Sequence, residues 1–103
     1  MGNYSTSSGV KTASEQISIN SGSLSGVDMS PPDDCSGTLR IYDSENAVTA
    51  GKLVVAEFHL DAGFMSLNHE YFRPVAINRG IYAEFTFDGV QGESSYVVRY
   101  TIG

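Results

Sequence analysis

The stretch Lys52-Leu53-Val54-Val55-Ala56-Glu57-Phe58-His59-Leu60 decides the fold class. Val54, Ala56, Phe58 and Leu60 fall on one side of an extended chain and Glu57 and His59 on the other, which is the period of a half-buried strand. Its first half is less polarised, because Leu53 and Val55 share the side of Glu57 and His59. The alternation returns at Gly80-Ile81-Tyr82-Ala83-Glu84-Phe85-Thr86-Phe87, with Ile81, Ala83, Phe85 and Phe87 together. The two apolar stripes are expected to face one common core.

Strands are also predicted at 38–42, closed by the polar turn Asp43-Ser44-Glu45-Asn46, and at 96–102, after a turn region that begins at Asp88-Gly89. Two short strands, 67–72 and 75–77, are separated by Arg73-Pro74. Ile17 and Ile19 alternate with Ser18 and Asn20, and residues 21–27 are expected to continue that strand or pair with it. Between 30 and 37, Pro31 and Pro32 with their turn-forming neighbours end any ladder. No window carries a sustained helical stripe. Seven or eight short strands without crossover helices predict an all-β chain, an antiparallel β-sandwich or jelly roll, with a small closed barrel as the alternative. Residues 10–103 form the predicted single domain, and residues 1–9, polar and without period, a flexible tail or an arm that orders on a neighbour.

The 103 residues, 41% of them hydrophobic, suffice for one modest core. A net charge of −6, with acidic and basic residues interspersed, argues against nucleic acid and anionic membrane as partners. The chain has no run near the ~20 apolar residues a bilayer demands. Its first residues lack the basic start and apolar run of a signal peptide, so synthesis in a cytoplasm is expected.

Sites of chemistry are sparse. Cys35, the single cysteine, sits in the Pro31–Cys35 loop beside Asp33 and Asp34, whose charges would raise rather than lower a thiol pKa. His59 and His69 lie on different predicted elements, and a zinc site would still need a third ligand. Asp28, Asp33 and Asp34 could offer oxygens to a hard cation, but their spacing fits a solvated acidic loop better. Gly22-Ser23-Leu24-Ser25-Gly26 has the look of a nucleophile elbow with its serine displaced and without the strand-to-helix setting. Asn3-Tyr4-Ser5 matches a glycosylation triplet without a visible secretory route. No catalytic, cofactor-binding or metal-binding residue is therefore assigned, no cofactor is expected, and the chain reads as a non-enzyme.

Gly37-Thr38-Leu39-Arg40-Ile41-Tyr42-Asp43, then Gly51-Lys52-Leu53-Val54, then Tyr71-Phe72-Arg73-Pro74-Val75-Ala76-Ile77 leading into Gly80-Ile81-Tyr82-Ala83, together resemble the small β-sandwich virion proteins of tailed bacteriophages. The resemblance spans roughly residues 17–102; the Pro31–Cys35 loop has no counterpart in it. It implies a structural role in the particle, as a capsid decoration or cement protein, a neck component or a fibre-associated module. It also implies other virion proteins as partners, and no catalytic residues. The alternative is a carbohydrate- or receptor-binding module that stacks ligands on Tyr42 or Tyr82, against the plainer reading of both as cross-strand packing.

Strands apolar on both sides suggest a second cover. Leu53 and Val55 lie beside Glu57 and His59, and Val97 beside Arg99 and Thr101, while Tyr96, Val98, Tyr100 and Ile102 take the opposite side. The cover is either the 28–37 segment folded over a sheet or another subunit. A domain this small has little spare chain for a lid, so a homo-oligomer is the expectation.

Overall fold

A computed structural model describes residues 6–30, 35–62, 66–89 and 92–103. Over these the chain forms β1 (Thr6–Ser7), β2 (Glu15–Ser18), β3 (Gly22–Ser30), β4 (Gly37–Asp43), β5 (Leu53–Leu60), β6 (Leu67–Ile77), β7 (Ile81–Phe87) and β8 (Ser95–Ile102). They make two antiparallel sheets, β1-β8-β3-β6 and β2-β7-β4-β5. The order is that of a jelly roll. β4 pairs β5, β3 pairs β6, β2 pairs β7 and β1 pairs β8, so the first half of the chain lies nested on the second, alternately in one sheet and the other. The rolled ribbon is then closed by β3 on β8 and β4 on β7.

Alternation along the strands fills the space between the sheets. Leu24, Val27 and Met29 of β3, Leu39 and Ile41 of β4, Ile81, Ala83 and Phe85 of β7, and Tyr96 and Val98 of β8 are buried. The thinnest dimension of the molecule, 18 Å between its outermost Cα atoms, is what two packed sheets produce. Phe85 meets Tyr96 across the sheets at 4.8 Å between ring centres. Burial pushes the Tyr96 phenol well above its ordinary pKa, and its hydroxyl donates to the Ala13 carbonyl at 2.7 Å.

That bond belongs to a seam made by the N-terminal segment. Thr6 and Ser7 pair with Tyr100 and Arg99. The Ser8 amide then donates to the Val98 carbonyl while the Val98 amide donates to Ser8 Oγ, and Lys11 and Tyr96 exchange backbone bonds. The chain next crosses to the other sheet, where the Phe85 amide donates to Ser14 Oγ and Glu15 and Gln16 pair with β7. Residues 6–8 thus lie on β8 of their own chain; residues 1–5 fall outside the described ones. On this flank the sheets end in the short strands β1 and β2, and on the other in the longer β5 and β6.

Several expectations need correction. Residues 21–27 neither continue nor pair with the strand at Ile17, because the chain turns at 19–21 and enters the opposite sheet as β3. Ile19 is exposed. The predicted strands 67–72 and 75–77 are one strand, with Pro74 tolerated because β6 is an edge. Val54 does not join Ala56, Phe58 and Leu60 in facing the core. The β4–β5 register slips by one between Ile41↔Ala56 and Tyr42↔Val54, so Val55 is the extra residue of a bulge and packs on the core while Val54 turns out, 45% exposed.

Phe58 is only half-buried, at the open flank, whereas Leu39 is fully enclosed. In urea melts Leu39→Ala should cost about 2–5 kcal/mol and Phe58→Ala distinctly less. An equal or larger loss at Phe58 would contradict the placement of β5 at the edge.

Candidate functional site

The two histidines are on adjacent edge strands but point to different surroundings. The His69 ring lies between the strands of the open flank, 5.3 Å from the Phe58 ring and 4.6 Å from that of Tyr71. His59 lies on the outer face of its sheet, with Nδ1 2.7 Å from Thr38 Oγ1 and Nε2 2.8 Å from Asp61 Oδ1. Sequence reading missed this hydroxyl–imidazole–carboxylate chain, since Thr38 and His59 meet only through the β4–β5 register. The connectivity is that of a nucleophile, its base and an orienting carboxylate. Its setting is not: the His59 and Asp61 side chains are 52% and 75% exposed, and a sheet face open to water gives little electrostatic help to a developing oxyanion. Cross-strand pairing sets Thr38 beside His59, and Asp61 follows His59 two residues along the chain. The same face continues with Arg40, which bonds Glu57 and reaches Glu84 at 3.3 Å, and then with Tyr42 opposite Tyr82. Both tyrosines are half-buried, and the Tyr42 hydroxyl donates to Glu84 Oε1 at 3.4 Å.

The acidic residues are dispersed. Asp33 and Asp34 fall outside the described residues, with Pro31 and Pro32. Asp28 pairs with Arg99 and accepts from Asn68 on the outer face of the other sheet. Cys35 is buried against Gly89, where a Cβ would stand 2.5 Å from the sulfur.

Around the Tyr71-Phe72-Arg73-Pro74 segment the sheet is irregular. Leu24 faces Val75 and Gly26 faces Glu70, so residues 71–74 of β6 lie opposite Ser25 alone. The surplus chain is pushed out of the ladder, and Phe72 is 97% exposed. Beside it lies a shallow depression of about 410 Å³ lined by Ser25, Glu70, Tyr71, Phe72, Pro74 and Arg99. Gly26 makes this floor possible, because a Cβ there would come within 2.6 Å of both the Arg99 guanidinium and the His69 carbonyl. Arg73-Pro74 inside an otherwise extended run was the sequence sign of this irregularity, though not of its size. Comparison with known protein families, with curated proteins and with solved structures returned no match.

A second depression, about 230 Å³, is lined by Asp43, Gly51, Lys52, Leu53, Asn78 and Arg79. A buried carboxylate in a recess is a common mark of catalysis. Here the carboxylate is already engaged. Burial alone would raise the Asp43 pKa, but the amides of Asn78, Arg79 and Gly80, at 3.0, 2.7 and 3.4 Å, together with the charge of Arg79, hold it below the ordinary carboxylate value. Asp43 fixes the β6–β7 turn to the end of β4. Gly80 is required there, as a Cβ would meet the Ser18 carbonyl at 2.5 Å. A carboxyl with a lowered folded pKa stabilises fully above its unfolded value, ~3.9, and that contribution fades as pH falls through the folded value. Asp43→Ala should therefore cost about 1–3 kcal/mol at pH 7 and flatten the stability profile below pH ~4, as read in urea melts across pH.

Proposed function

We propose that this chain is a structural part of a tailed-phage particle, a jelly-roll module that works through protein–protein contacts rather than turnover. The observation that carries the reading is the bulged free edge of β6, where Phe72 stands 97% exposed beside Tyr71 and Pro74. Phe72 is the most exposed of the large hydrophobic side chains among the described residues, and aromatic residues are frequent anchors of protein contacts. The nested strand order adds support by analogy, since double-sheet jelly rolls serve in viral capsids. The resemblance of residues 37–54 and 71–83 to small phage virion proteins narrows that analogy to the tailed phages. Within the particle, a decoration or cement role fits a small acidic module with an aromatic-bearing edge at β6.

A second reading, a carbohydrate- or receptor-binding module, is favoured by Tyr42 and Tyr82 side by side on the outer face of β4 and β7. Jelly rolls also serve as lectin domains. Both tyrosines are half-buried and the Tyr42 hydroxyl is already bonded to Glu84, which ranks this reading second.

Purified particles of the phage that encodes the chain should contain it in a fixed copy number by quantitative mass spectrometry. Its absence from particles, with saturable binding on a glycan array that Tyr42→Ala and Tyr82→Ala abolish, would replace the first reading with the second.

A further inference from the structure

We propose that the recess where β4 ends, between the 49–52 turn and the β6–β7 turn, binds a phosphate group. The recess shares no residue with the depression beside Phe72, so the site is independent of the contact reading above. Its walls are fixed before any ligand arrives. The β6–β7 turn is tied to Asp43 through the amides of Asn78, Arg79 and Gly80. The 49–52 turn is closed by the Lys52 amide, which donates to the Thr49 carbonyl at 3.0 Å, and it passes through Gly51 at a φ of 76°, a left-handed backbone that favours glycine. Such preformed walls reduce the ordering cost of binding.

What the recess offers a ligand is donors. Its one carboxylate is occupied, since Asp43 Oδ1 accepts from the Arg79 and Gly80 amides and Oδ2 from the Asn78 amide. The cations have capacity left. The Lys52 side chain is only 14% exposed, yet its ammonium donates to a single protein acceptor, Glu45 Oε1 at 3.0 Å. An ammonium carries three N–H, so two of them have no protein acceptor among the described residues, a costly state for an enclosed charge. Arg79 lines the same recess and enters none of the ion pairs among the described residues, which leaves its five-donor fork available. Glu45, the nearest further carboxylate on Lys52, is not part of the lining.

Two positive charges with surplus N–H donors match a doubly charged oxyanion. A phosphate group on an ester carries about −1.5 to −2 at pH 7 and three strong acceptor oxygens, enough to engage the Lys52 ammonium and the Arg79 fork together. A carboxylate brings one charge and two oxygens, and leaves one of the two cations unmatched. The chain's net charge of −6 opposes any anion from afar, but at physiological salt that field is screened within about 8 Å, whereas Lys52 and Arg79 act at contact. The recess, about 230 Å³, has room for the group and for the atom that carries it.

Titration of the whole chain with inorganic phosphate at constant ionic strength, followed through its backbone amide resonances, tests this. Saturable shifts centred on Gly51, Lys52, Asn78 and Arg79 are expected in the millimolar range. Arg79→Gln should weaken binding at least about fivefold while the far-ultraviolet spectrum stays unchanged, since the side chain is exposed. Lys52→Met should weaken it as well, and acetate should bind at least about fivefold less tightly than phosphate to the unmodified protein. Glycerol 3-phosphate, as a second probe, distinguishes the sources: binding like that of inorganic phosphate assigns the site to a phosphate carried on a larger molecule, and binding of inorganic phosphate alone assigns it to the free ion. Shifts that stay linear through tens of millimolar, shifts centred elsewhere, binding indifferent to Arg79→Gln, or acetate bound as tightly as phosphate would each overturn the proposal. None of these outcomes bears on the particle assay, which tests the virion reading by itself.

Discussion

Nested antiparallel pairing of the chain's first half on its second is the constraint from which the rest of the molecule follows. With β4 on β5 innermost and β1 on β8 outermost, every later pair closes a longer loop than the one before. The outer pairs therefore have a larger entropy cost to overcome, and the loop-closure term favours formation from the β4–β5 end outward. The ribbon alone has no interior. One arises when it rolls, bringing β3 against β8 and β4 against β7, so that Leu24, Leu39, Ile41, Ala83, Tyr96 and Val98 meet in a single layer.

Rolling leaves two flanks, and the sequence treats them differently. On one, residues 6–18 pass from β8 to β7 and engage exposed backbone of both, with Tyr96 and Ser14 as side-chain ties. On the other, β5 and β6 have no further strand beside them, and a free edge invites uncontrolled pairing. Both are interrupted by bulges, at Val55 and at 71–74, and Pro74 removes an amide. A flank protected against indiscriminate strand addition can still present Phe72 for one particular contact. Polar contacts hold the geometry in place: Asp43 anchors the β6–β7 turn, and Arg99 spans the outer face over Gly26 to Asp28.

Much of the fold was legible in residue order because alternation is a local property. Ile81, Ala83 and Phe85 face the core as their spacing predicts, and 38–42 and 96–102 form strands within a residue of the expected bounds. What was not legible depends on pairing at a distance. Val54 and Val55 exchange roles because a bulge opposite Ile41 and Tyr42 shifts the phase, and period counting assumes an unbroken phase. Ile17 and Leu24 alternate alike yet belong to opposite sheets, since nothing in alternation says where a chain changes layer. The Thr38–His59–Asp61 chain and the depression at Glu70 and Arg99 likewise exist only through register. Pro74 marked the irregularity, but the four-against-one count around Ser25 has no local signature.

Nested pairing is tested most directly by cross-strand proton contacts in solution NMR, taking one reporter from each layer of the roll. The register requires contacts between Leu39 and Phe58, between Val27 and His69, between Gln16 and Tyr82, and between Lys11 and Tyr96, all in the same molecule. Finding all four establishes the roll from its innermost hairpin to its outer seam. Contacts that instead link Ile17 or Ser18 to residues 23–27 as a local hairpin would contradict it, because that pairing places β2 and β3 in one sheet and leaves no roll to close.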